Sequence, residues 1–155
     1  MGILDSVKGI FGIGLNYRTE LQAVVDQYPN FKNLQWAYGG FTDERQGITS
    51  RTYTSFNYIV LFGNNEMHII PFSDKGNKIS VGEPLIVERS NLQEITYSKT
   101  MQLFYAKFNN GQEVRFQVAP FSIKIPMTGS INIKQKEQYD QYKNFIIPFV
   151  DSFNF

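Results

Sequence analysis

His68 is the only imidazole in this chain, and it stands in "EMHIIPF" between Met67 and Ile69. A lone histidine builds a metal site or a catalytic dyad only with carboxylates or a nucleophile at supporting spacing, and the sequence places none for it. An apolar strand position reads instead as a core or sheet-surface histidine. Glu88 and Glu94 are carboxylates that could pair for acid–base work, yet nothing in their spacing singles them out. The chain has no cysteine, which excludes thiolate zinc sites, iron–sulfur clusters and cysteine nucleophiles. "GIFGIG" (9–14) has the glycines of a phosphate loop, but it follows no strand and precedes no Lys-Ser/Thr pair. "MGILDS" fits the N-myristoylation pattern, which chance supplies often. These residues predict no catalytic group, no metal and no cofactor, and a protein that is not an enzyme.

The remaining chemistry is charge. Arg45 and Arg51 lie in "GFTDERQGITSRTY" beside Asp43 and Glu44, so two guanidiniums are offset by two carboxylates and make a poor phosphate cradle. Lys75 and Lys78 in "SDKGNK" are offset by Asp74. A formal net charge of +1 argues against broad attraction to nucleic acid or anionic membrane.

These residues need elements to hold them. One domain with a proper core fits 155 residues, and 15% aromatic content supplies it. Residues 1–31 read as a helical extension packed on the sheet, and 32–155 as the domain itself. In the extension, Ile3, Leu4, Val7, Ile10 and Phe11 form one apolar stripe, and Tyr17, Leu21, Val24, Val25 and Tyr28 form a second, which Pro29 stops. Short strands follow: 33–41, 51–62, 66–72, then "PLIVE", "NLQEITYS", "MQLFYAKF" and "QEVRFQVA". "GFTDERQGITS", "SDKGNKISVGEP" and "APFSIKIPMTGSINI" read as connections. Trp36, the sole tryptophan, reads as core with its indole N–H bonded. Tyr139, Tyr142, Phe145, Ile146, Phe149, Val150 and Phe153 stripe one side of a C-terminal helix that Pro148 should kink or restart. No segment has the roughly 20 continuous apolar residues that span a bilayer.

Two strands carry more information than the rest. In 103–118, a loop at Asn109-Asn110-Gly111 sets Phe104 opposite Phe116 and Ala106 opposite Val114 on one apolar face. It sets Tyr105 opposite Arg115 and Lys107 opposite Glu113 on the other. Phe104, Ala106, Phe108, Val114, Phe116 and Val118 are therefore buried, and Leu103, Tyr105, Lys107 and Arg115 face outward. In 58–62 both alternations are apolar, so both faces must be covered, and the N-terminal helices are the cheapest cover.

About seven strands in meander, closed by one amphipathic helix, with the hairpin "YIVLFGNNEMHIIPF", resemble the bacterial pleckstrin-homology-like (PH-like) domains over roughly 33–153. Glu66 and Met67 stand where those domains often carry a basic residue. The resemblance implies an α+β fold, a bent antiparallel barrel or sandwich capped by the C-terminal helix. It implies a binding or scaffolding module for protein or peptide, acting through a sheet edge or the groove beside that helix. Leu103, Tyr105, Lys107 and Arg115, with Arg45 and Arg51, are the expected contact residues. A peripheral membrane protein is the alternative: Ile3, Leu4, Val7, Ile10 and Phe11 in the interface, Arg45 and Arg51 on headgroups. Self-association is open, nucleic acid is not expected, and the compartment expected is the cytoplasm, with or without membrane contact.

Overall fold

The computed structural model describes residues 17–75, 78–120, 123–125, 129–131 and 134–153. The expected first helix, with Ile3, Leu4, Val7, Ile10 and Phe11, lies outside them.

The chain builds an open antiparallel sheet of eight strands and closes with a helix, an α+β arrangement. The strands are β1 (Gln35–Gln46), β2 (Arg51–Gly63), β3 (Glu66–Lys75), β4 (Lys78–Val81), β5 (Leu85–Ile86), β6 (Leu92–Ser98), β7 (Leu103–Phe108) and β8 (Glu113–Gln117). They are ordered β4-β3-β2-β1-β8-β7-β6, and β5 pairs with β3. A separate two-stranded ribbon joins β9 (Ile123–Ile125) to β10 (Gly129–Ile131). Helix α1 (Tyr17–Val25) precedes the sheet, and α2 (Lys136–Asp151) follows it.

The alternation in β2 is answered by two cores. Tyr58, Val60 and Phe62 join Phe104, Ala106, Phe108, Val114, Phe116 and the α2 residues Tyr142, Ile146 and Phe149. Ile59 and Leu61 face the other way, with Trp36, Tyr38, Ile70 and Phe72, against Leu21, Val24 and Val25 of α1. Sheet and helices thus form three layers, because a strand apolar on both sides needs apolar cover on both sides. Trp36 donates its indole N–H to Gln22 Oε1 at 2.7 Å, which ties α1 to β1.

Several expectations are corrected. The polar stretch after Gly40 is strand, not turn: β1 stays in register with β2 out to Gln46↔Arg51. The stretch after Phe72 is also strand, with β3 running to Lys75 and β4 pairing back on it. In "PLIVE" only Leu85 and Ile86 pair, and the segment 119–133 carries the β9–β10 ribbon. Helix α1 ends at Val25, ahead of Pro29, which instead opens a 3-10 turn (Pro29–Phe31). Pro148 does not restart α2, which runs on to Asp151. It sits within the last turn, so its missing N–H removes the single bond to the carbonyl four residues back, and three helical residues follow it.

Candidate functional site

The strand that matters most is β1, because its two ends meet different neighbours. It touches β8 at a single ladder position, Gly40↔Gln117. Continuing that ladder would set Tyr38 opposite Ala119. A side chain stands there instead: Gln135, only 1% exposed. Tyr38 N–H donates to its Oε1 at 2.8 Å, and its Nε2 donates to Tyr38 O at 3.0 Å and Ala119 O at 2.7 Å. The Gln135 N–H donates to Pro120 O at 2.9 Å. One carboxamide thus replaces a peptide unit of the missing ladder, and it sits immediately before α2. Gly39 permits the crossing below it, since a Cβ there would lie 2.7 Å from Phe116 Cδ1.

Tyr38 sends both backbone groups toward Gln135, away from β2. The period of a strand is two, so Gly40, Thr42, Glu44 and Gln46 present theirs in the same direction. Gly40 meets Gln117. Beyond it, no described residue pairs with β1 on that side. Positions 41–46 and 51–56 therefore form a two-stranded arm whose outer edge no described residue pairs, joined at its tip by residues 47–50.

A cleft of about 170 Å³ opens where the arm and β8 part. Phe41, Asp43 and Arg45 come from β1, Phe56 and Tyr58 from β2, and Glu113 and Arg115 from β8. Aromatic rings line it together with two acids and two guanidiniums. Phe56 is 42% exposed, well above the ordinary burial of a phenylalanine. Asp43 and Arg45 form a solvent-exposed ion pair at 3.4 Å, which holds neither residue tightly. Tyr105 donates its hydroxyl to Glu113 Oε1 at 2.8 Å, and the Arg115 guanidinium carbon lies 5.1 Å from the Tyr105 ring. The bond to Glu113, then burial, raises the Tyr105 phenol above its ordinary value, because the carboxylate favours the protonated hydroxyl.

Of the residues expected to make contacts, Arg45 and Arg115 meet in this cleft, and Tyr105 braces one wall. Lys107 lies outside it, opposite Glu113 and Glu94. Leu103 sits at the far end of β7, opposite Gln117. Arg51 is at the tip, opposite Gln46 on the arm rather than in a loop. Asp43, Phe41, Phe56 and Tyr58 were not foreseen, although the alternation 41, 43, 45 against 54, 56, 58 would have placed them on one face. A second groove of about 460 Å³ runs beside α2, lined by Asn65, Asn144, Phe145, Pro148, Phe149 and Ser152.

His68 lies with its ring 4.5 Å from that of Phe31, and its buried Nδ1 has no hydrogen-bond partner among the described residues. Burial lowers its pKa, while the carboxylates of Glu66 and Glu88 pull the other way. Glu88 accepts a hydrogen bond from the Ser90 hydroxyl at 3.2 Å, and Glu94 sits on β6 opposite Lys107. Among the described residues, no group of three acids or imidazoles could hold a metal, and no helix is long and apolar enough to cross a membrane. Set against known proteins, the chain matches no family, no curated sequence and no solved structure.

Proposed function

We propose that this chain is a non-enzymatic binding module, built on a bent PH-like sheet, that recognises protein or peptide by strand addition. The recognition element is the outer edge of β1 at positions 41–46. The observation that carries this reading is the row of outward backbone groups at Thr42, Glu44 and Gln46 with no ladder partner among the described residues, beside an aromatic, mixed-charge cleft. An open edge supplies affinity through main-chain hydrogen bonds, and neighbouring side chains supply selectivity. Phe41 and Phe56 would take an apolar side chain of the added strand. Asp43, Arg45, Glu113 and Arg115 would read its charges. The layout supports the PH-like reading: a meander wrapped on a terminal helix whose buried face is Tyr142, Ile146 and Phe149. We place the protein in the cytoplasm.

Glu44→Pro tests this. Position 44 turns its N–H away from β2, so proline removes an edge donor and leaves the β1–β2 ladder intact. Capture of extended peptides from a displayed random library should be lost in the variant while its circular dichroism stays that of the parent. Peptides that bind parent and variant equally would refute the strand-addition reading. Flotation with vesicles containing a fifth anionic lipid measures the membrane alternative directly.

A further inference from the structure

We propose that the strand this edge accepts is the same edge of a second copy of the chain, giving a two-fold dimer through the β1 arms. The inference rests on the strand-addition reading above and names its partner.

The argument is one of register. Two identical edges joined antiparallel by a two-fold axis can sit only where residues of like parity face one another. Six such registers, one for each position from 41 to 46, centre on the arm, and three of them set a charged side chain at 43 or 45 against another. Centring on position 43 sets Asp43 against Asp43 of the second copy. Centring on position 45 sets Arg45 against Arg45. Centring on position 44 sets Asp43 against Arg45 of the second copy and Arg45 against Asp43. Only this last register gives opposite charges at both positions, and cross-strand opposite charges stabilise where like charges destabilise.

The hydrogen-bond pattern agrees. Position 44 turns its backbone outward and would exchange two bonds with its counterpart. Positions 43 and 45 then form the pairs without backbone bonds, in which side chains approach most closely. The exposed ion pair within one arm, 3.4 Å between Asp43 and Arg45, is weak enough to trade for the intermolecular pairs. Glu44 faces itself across the axis, and that repulsion keeps the dimer weak.

Sedimentation equilibrium on the full chain, from micromolar to millimolar concentration, tests the proposal. The parent should pass from monomer to dimer. Asp43→Arg makes every arm wholly basic at these positions, and Arg45→Asp makes it wholly acidic. Each alone should raise the dimer dissociation constant by about tenfold or more. Mixed in equal amounts, the two variants should recover parental association, because each arm then meets its complement. Glu44→Gln should tighten the parental dimer. A parent that stays monomeric at millimolar concentration overturns the proposal, as does a mixture of the two folded variants that fails to associate. Peptide capture that is lost in Glu44→Pro would still uphold the edge as a strand acceptor in that case, so the two failures are distinct.

Discussion

Single side chains settle how the sheet and the closing helix hold together. Gln135 occupies a ladder position with its carboxamide and meets three backbone groups there. Gln135→Leu would leave those groups buried and unpaired, and at about 1 kcal/mol for each lost bond the variant should be destabilised by about 3 kcal/mol. A urea titration of the folded state measures this, and a loss below 1 kcal/mol would show that water replaces the amide. Tyr142 presents the opposite case. It is 2% exposed at the centre of the inner core, its ring meets Phe62 edge-on at 5.6 Å, and its hydroxyl has no hydrogen-bond partner among the described residues. Burial drives its phenol pKa well up, the neighbouring Tyr97 adding to the shift. Tyr142→Phe removes an unsatisfied polar atom and keeps the ring. It should stabilise by about 1 kcal/mol, read as a higher denaturation midpoint. A lower midpoint would mean that the hydroxyl is bonded in solution.

Among the elements, α1 and the turn behind it cover the outer face, and His68 lies under that cover against Phe31. Its folded pKa is lowered by burial, and the Glu66 and Glu88 carboxylates offset this only in part. The unfolded chain takes a proton near the ordinary histidine value of about 6.5. The folded chain resists to lower pH, so below that value the unfolded state holds more protons. His68 therefore contributes stability in full above about pH 6.5, and loses it as pH falls through the lowered folded value. Trp36, the sole tryptophan, is bonded to α1 through Gln22 and reports on this layer by its emission. The urea midpoint from that emission should fall between pH 7 and pH 5 in the parent. It should fall less in His68→Phe, which keeps an apolar ring beneath Phe31. Equal falls in both would assign the acid sensitivity to carboxylates elsewhere. The arm is the element that the sequence concealed. Thr42-Asp43-Glu44-Arg45-Gln46 carries no apolar alternation and is rich in poor strand formers, so it reads as a turn. It is a strand because twelve consecutive residues of β1 hold register with β2.

For the molecule as a whole, local pattern and distant contact divide the account. The hairpin of β7 and β8 was legible to the residue: Phe104↔Phe116, Tyr105↔Arg115, Ala106↔Val114 and Lys107↔Glu113 all pair as the alternation requires. Gly111 takes the positive φ of 90° that its loop demands. The buried stripe of α2 was legible for the same reason, since a period of 3.6 residues shows in any window that spans the helix. The two-sided burial of β2 followed from its composition. Other features had no local signature. That Arg45 and Arg115 line one cleft depends on where β1 and β8 separate. That Gln135 fills the seam depends on a contact with Tyr38 across 97 residues of chain. Residue types and periodicity set which faces avoid water, because burial of apolar side chains is a short-range demand written along each strand and helix. Which edges no described residue pairs, and which charges meet beside them, was decided only when strands distant in the chain were brought together at Gly40 and Gln117 and diverged beyond that pair.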